Sequence, residues 1–182
     1  MRIRVDDIKD KGLDLDYQGP AQDLQLLADL EAAGECRFTA PVQLRGRAIR
    51  VAEVVEVEGD VSTNVRLSCG RCINDFETPI SSHFALTYAR EVPPVEDEDG
   101  EEIELNADEL GLILFHGEEI DLSDAVAEQI IMDLPLRPLC HEGCKGLCPH
   151  CGADLNVSEC GCAPAEFDTR FAALKNFKPG KK

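Results

Sequence analysis

Eight of the nine cysteines are spaced as thiolate ligands for a metal ion. Cys140, Cys144, Cys148, Cys151, Cys160 and Cys162 fall within 23 positions, most with Gly or Pro alongside, and Cys69 and Cys72 form a separate C-x-x-C. Thiols packed that densely need something to neutralise and space them, and in a reducing compartment that is usually Zn²⁺. Cys148-Pro-His-Cys151-Gly has the form of a zinc knuckle. Its two sulfurs can face one ion across a tight turn, and the glycine permits the positive φ that turns backbone N–H groups toward sulfur. Cys160-Gly-Cys162 is a plausible second half.

Eight thiolates divide into two tetrahedral sets. One partition pairs Cys69 and Cys72 with Cys140 and Cys144, leaving Cys148, Cys151, Cys160 and Cys162 together. The other joins Cys140, Cys144, Cys148 and Cys151 on one ion and the hairpin pair with Cys160 and Cys162. The spacing does not choose between them. Either way two structural Zn²⁺ ions are expected, and a closed four-sulfur site holds structure without activating water. The competing readings are disulfides, disfavoured without a signal peptide, and a redox dithiol at Cys69 and Cys72, which would want a helix N-terminus in a βαβ unit. Cys36, on the apolar face of an expected strand, reads as a small buried hydrophobe. His141 and His150 could substitute as ligands, whereas His83 and His116 have no nucleophile or carboxylate motif beside them. No nucleophile elbow, phosphate loop, zincin or dinucleotide motif is present, so no enzyme and no small-molecule substrate are expected.

The elements that would position these cysteines read as an α+β fold: an antiparallel β-meander with a few helices and a C-terminal zinc-ribbon-like module. Residues 2–18 suggest one or two short strands, and Gly19-Pro20 opens a helix to about Ala33 with Gly34 as its stop. Cys36, Phe38, Ala40, Val42 and Leu44 alternate with polar residues as a strand ending at Gly46. Ile49, Val51, Val55 and Val57 repeat the period up to Glu58-Gly59-Asp60, which reads as a hairpin turn. Val61 to Cys69 and Phe76 to Tyr88 follow as two further strands, with Cys69-Gly-Arg-Cys72 at their turn. An acidic loop is expected over about 93–111. Ile113, Leu114 and Phe115 suggest a last short strand pair around Gly117. A helix capped by Asp121 or Ser123 puts Val126, Ile130 and Leu134 on one face. Pro135 and Pro138 then lead to Cys140, and Asp168 caps a final short helix before a basic tail. The expected division is 1–134 for the sheet domain and 135–182 for the cysteine-rich module.

The 182 residues carry a net charge of −18, concentrated in one place. Residues 91–133 contain 16 acids and no Lys or Arg, while residues 134–182 are slightly basic. No apolar run approaches the roughly 18 residues a membrane helix needs. Nor does the N-terminus have the apolar segment of a signal peptide, so a cytoplasmic location without membrane contact is expected.

The residues quoted above resemble the YceD family of bacterial and plastid proteins. The resemblance rests on Cys69-Gly-Arg-Cys72 and on Asp133-Leu-Pro-Leu-Arg-Pro-Leu-Cys140. It rests also on Cys144-Lys-Gly-Leu-Cys148-Pro-His-Cys151-Gly-Ala-Asp-Leu-Asn156, Cys160-Gly-Cys162 and Asp168-Thr-Arg170-Phe171. It covers about residues 35–177 and departs from the family's Asp-Pro-Arg-Trp at Asp168-Thr-Arg170-Phe171. It implies a non-enzymatic part in ribosome biogenesis, namely accumulation of large-subunit (23S) rRNA. The partner would be the large-subunit precursor, met through a basic ribosomal protein or through rRNA. A transcription-associated zinc-ribbon adaptor is the alternative.

Overall fold

In the computed structural model, residues 1–93, 95–96, 102–103 and 106–162 are described. The expected final helix and the basic tail lie outside them. The elements are β1 (Arg2–Arg4), β2 (Leu13–Gly19), α1 (Gln25–Ala32), β3 (Arg37–Phe38), β4 (Val42–Val51), β5 (Val54–Ser68) and β6 (Asp75–Ala89). They continue with β7 (Val95–Glu96), β8 (Glu102–Ile103), β9 (Leu112–Leu114), β10 (Glu119–Asp121) and α2 (Ser123–Met132). The chain divides into two compact units. One comprises Met1–Leu67 and Asp75–Leu136, and the other Ser68–Asn74 with the chain from Arg137 on.

The first unit is built on a six-stranded sheet, ordered β2-β4-β5-β6-β9, with β3 beside β5 where β4 stops. β2 and β4 are antiparallel, as are β4 and β5. The six-residue link from β5 to β6 is too short for a crossover, so that pair is antiparallel as well. Along β5, Val55, Val57, Val61, Val65 and Leu67 are buried while Glu56, Glu58, Asp60 and Arg66 are exposed, the period of two that the sequence displays. The outer face is a solvated charge ladder: Asp14 and Asp16 on β2 lie opposite Arg47 and Arg45 on β4, which lie opposite Glu58 and Asp60 on β5.

The inner face is covered by the helices. Leu24 and Leu27 around α1, and Leu122, Val126 and Ile130 around α2, are almost completely buried in one core with Val42, Leu44, Val61 and Val65. α1 ends where expected, at Gly34 with φ +74°. Glu31 on α1 accepts the Phe38 N–H at 2.7 Å, tying the helix to β3. The start of α2 is held by Asp121, whose Oδ1 accepts the Ser123 N–H at 2.9 Å.

The helix expected to open at Gly19-Pro20 begins only at Gln25, because Gly19 is still paired in β2, and the strand expected to end at Gly46 is split into β3 and β4 and runs on to Val51. Three further expectations fail. Glu58-Gly59-Asp60 is not a turn: Gly59 lies inside β5, opposite Gly46 inside β4. A Cβ on Gly46 would sit 2.8 Å from the Gly59 Cα and 2.4 Å from the Glu58 carbonyl oxygen. The two glycines therefore mark a close backbone approach across the ladder. The real turn is at Ala52, which adopts φ +51°. Second, β9 and β10 do not pair with each other. β9 lies parallel to β6, and β10 is antiparallel to β1. Third, the acidic loop is interrupted by a two-stranded antiparallel pair, β7 with β8.

Candidate metal centres

The described residues of the second unit have almost nothing to pack except sulfur. Among its described residues the buried side chains are Cys69, Cys72, Cys144 and Cys148. Leu139, Leu147 and Leu155 are only half-buried.

The cysteines gather into two groups of four. Cys69, Cys72, Cys140 and Cys144 form one and Cys148, Cys151, Cys160 and Cys162 the other, each with its sulfurs within 4.8 Å of one another. The first of the two partitions left open by spacing is the one adopted. In the first group Cys69 Sγ lies 3.8 Å from Cys144 Sγ, and Cys72 Sγ lies 3.7 Å from Cys140 Sγ. Four thiolates about 2.3 Å from a tetrahedral Zn²⁺ would stand about 3.8 Å apart, so the spacing fits the ion. A disulfide needs about 2.05 Å, and all nine cysteines are free thiols. The first group is the more enclosed. In the second, Cys148 is buried, Cys160 half-buried, and Cys151 and Cys162 exposed.

Both C-x-x-C turns are closed by a residue of positive φ just after the second cysteine. Gly152, at φ +73°, donates its N–H to the Cys148 carbonyl at 2.9 Å. Ile73 stands in the equivalent position, at φ +63°, and donates to the Cys69 carbonyl at 2.9 Å. A branched side chain is rare in the left-handed region, which is why this knuckle is harder to recognise from sequence. The loop from Cys140 to Cys144 closes on the β5–β6 turn through Gly70 N–H to the Pro138 carbonyl (2.8 Å) and Leu147 N–H to the Arg71 carbonyl (3.1 Å).

Electrostatics favour a cation at each centre. At Cys69, backbone N–H groups of Cys140 and Cys72 bring the thiol down to about 6. Backbone N–H groups of Cys151 and His150 do the same for Cys148, also to about 6. Cys140 is pushed up to about 12 by burial and then by Cys144, and Cys162 to about 12 by Cys151 and then Cys148. One thiol in each group ionises readily, and another resists because burial and the neighbouring thiols together disfavour a second negative charge. A dication removes that conflict and lets all four bind as thiolates. Cys36, by contrast, is half-buried; burial and then Glu31 and Glu35 push its thiol up, and it joins neither group.

Sequence reasoning missed the residues that support the sulfurs. Asn156 donates from Nδ2 to Cys144 Sγ at 3.4 Å, and its Oδ1 accepts the Lys145 N–H at 2.8 Å. Asp154 accepts from the Asn156 N–H and Nδ2, both at 2.8 Å, and from Asn74 Nδ2 at 2.7 Å. Arg71 donates its N–H to Cys69 Sγ at 3.5 Å and its Nη1 to the Cys144 carbonyl at 2.8 Å. Asp154-Leu-Asn156 carries the signature of a side-chain turn, a signal that could have flagged it. His141 and His150 are exposed and belong to neither sulfur group. His83 lies between Asp60 and Glu58 on the outer face of the sheet.

Fold and site together define an α+β protein carrying a cysteine-built unit with two four-sulfur centres. The family profile described as "Large ribosomal RNA subunit accumulation protein YceD" matches residues 57–178. The chain belongs to the YceD family. It is 30% identical over 158 residues to a chloroplastic large ribosomal RNA subunit accumulation protein YCED homolog 1 of Arabidopsis thaliana, covering 76% of this chain and 49% of that protein. It is 34% identical over 129 residues to an uncharacterised Mycobacterium tuberculosis protein, covering 70% of this chain and 58% of the relative. The chain thus spans about half to three-fifths of those relatives. It is also 30% identical over 183 residues to the large ribosomal RNA subunit accumulation protein YceD of Haemophilus influenzae, covering 97% of this chain and 95% of the relative. No solved structure matches significantly. The family's description names accumulation of an RNA and no chemical reaction. Among the described residues no helix is long and apolar enough to cross a membrane.

Proposed function

We propose that this chain is a non-enzymatic, zinc-stabilised factor for ribosome biogenesis that supports accumulation of the large-subunit (23S) ribosomal RNA. The observation that carries the reading is the match along nearly its whole length to the Haemophilus protein of that description. Two structural zinc ions are assigned to the two sulfur groups, where they neutralise thiolates and hold a unit whose described residues bury no side chain but cysteine. Each filled centre carries a charge of about −2, which offsets the small positive balance of residues 134–182. That makes a phosphate backbone a poor first partner. The 16 acids of residues 91–133 suit a basic ribosomal protein of the large-subunit precursor, with rRNA contact secondary. Depleting the protein from cells tests the reading: the ratio of large to small ribosomal RNA falls. An unchanged ratio, or capture of RNA polymerase in place of large-subunit precursors, overturns it.

A further inference from the structure

β9 is an edge strand with an unusual composition. It runs parallel to β6, with Thr87 opposite Leu112, Tyr88 opposite Ile113 and Ala89 opposite Leu114. Among the described residues no strand pairs with its other side. Phe115 donates its N–H to the Ala89 carbonyl at 3.0 Å. The twofold alternation of a strand therefore turns the amides of Ile113 and Phe115 toward β6 and those of Leu112 and Leu114 away. Leu112 N–H is taken by the Ala107 carbonyl at 2.8 Å, and among the described residues Leu114 N–H meets no backbone carbonyl on that side. Ile113 and Leu114 are 37% and 44% exposed.

Proteins normally blunt such an edge with Lys, Pro, a bulge or a buried charge. Leu112-Ile-Leu-Phe115 has none of these. Instead, exposed acids bracket it, Asp108 and Glu109 before and Glu118 and Glu119 after. We infer that the outer edge of β9 takes up an extended, lysine- or arginine-bearing protein segment as an additional strand. The backbone ladder and the exposed Ile113 and Leu114 supply the contact, and the flanking acids select a basic partner. A second copy of this chain would bring the same four acids against one another. RNA would bring phosphates to them and offers no peptide ladder. This inference deepens the proposed contact with a basic ribosomal protein and rests on that reading for its biological partner, though not for its chemistry.

The test uses the full-length, zinc-loaded protein and a short fluorescent peptide of alternating lysine and valine at physiological salt. A second peptide has the same sequence with alternate backbone amides N-methylated, which keeps charge and side chains and removes the ladder donors. The expected result is binding of the first peptide, weakened about tenfold or more by N-methylation, with slowed hydrogen exchange at the Leu114 amide. Leu114→Pro removes the outward donor and weakens binding to the same degree, with circular dichroism confirming the fold. Leu114→Lys, which keeps the donor and adds repulsion, weakens it as well. Equal binding of the two peptides, no binding of either, or unaltered binding by both variants overturns the inference. So does displacement of the peptide by poly-uridylate or by self-association of the protein. A fall in the rRNA ratio on depletion, together with failure of the peptide assay, removes the strand-edge inference alone. An unchanged ratio removes the functional reading while leaving the peptide result to stand.

Discussion

At the scale of single residues, the sulfurs depend on groups that are not sulfur. The Asn156 amide donates to Cys144 Sγ while its oxygen holds the Lys145 N–H, and Asp154 fixes it from the other side. Such outer contacts typically change metal affinity 10- to 100-fold. Asn156→Ala should therefore retain four cysteine ligands at the first centre yet bind zinc about tenfold or more weakly in a competition titration against a colorimetric chelator. Equal affinity would show that the amide is incidental. A second residue-scale expectation concerns Tyr88, which is 2% exposed and whose hydroxyl has no partner among the described protein atoms. Burial, then the charges of Asp121 and Glu128, push its phenol up to about 12 from 10.0. The folded value lies above the unfolded one. The contribution to stability is therefore complete below pH 10, and it is lost as the pH rises from 10 through 12, where only the unfolded chain ionises. Tyr88→Phe should flatten that alkaline decline in denaturant titrations followed across the window, and a decline of the same slope in the variant would rule the phenol out as its source.

At the scale of elements, the two C-x-x-C turns are one device built with different residues. Gly152 takes the left-handed position without strain, while Ile73 takes it as a branched side chain that is 69% exposed and so gains little from burial. Ile73→Gly should raise the stability of the zinc-loaded protein by about 1 kcal/mol, measured as a shift in the denaturant midpoint. A destabilised variant would mean that Ile73 packs in a way its exposure conceals. The same pair shows what was legible in the sequence. Cys148-Pro-His-Cys151-Gly announces its turn because glycine is the residue for positive φ, whereas Cys72-Ile73 gives no such sign. β5 was readable from its alternating valines, but not its continuity through Gly59. A glycine beside an aspartate predicts a turn locally, and only the opposing Gly46 on β4 explains why the strand passes straight through. The partners of β9 and β10 were not readable either. Pairing with β6 and β1 is set by contacts distant along the chain, which local periodicity does not encode.

At the scale of the whole molecule, the two units are held by different physics, and that difference can be measured. The first encloses a continuous apolar core of Val, Leu, Ile and Phe side chains from the sheet and both helices, enough to sustain a fold without a metal. Among its described residues the second buries only cysteines, and structural zinc in small sites of this kind contributes on the order of 10 kcal/mol to folding. If the proposed zinc ions hold the second unit, the chain should come apart in two steps under chelation. With a strong zinc chelator and a reductant, amide hydrogen exchange should become fast over Ser68–Asn74 and 137–162. The buried positions of β4, β5 and α2, such as Leu44, Val57 and Ile130, should stay protected. Metal analysis of the same samples should give two zinc ions per chain before treatment and none after. Acid should reproduce the pattern, since protons compete with the ion for four thiolates at each centre, so zinc is released as the pH falls and rebound as it rises. Protection that persists across the cysteine-rich segment after all metal has been removed would show that the second unit has a source of cohesion other than its sulfur-bound ions. Simultaneous loss of protection in both units would show instead that the apolar core does not stand on its own.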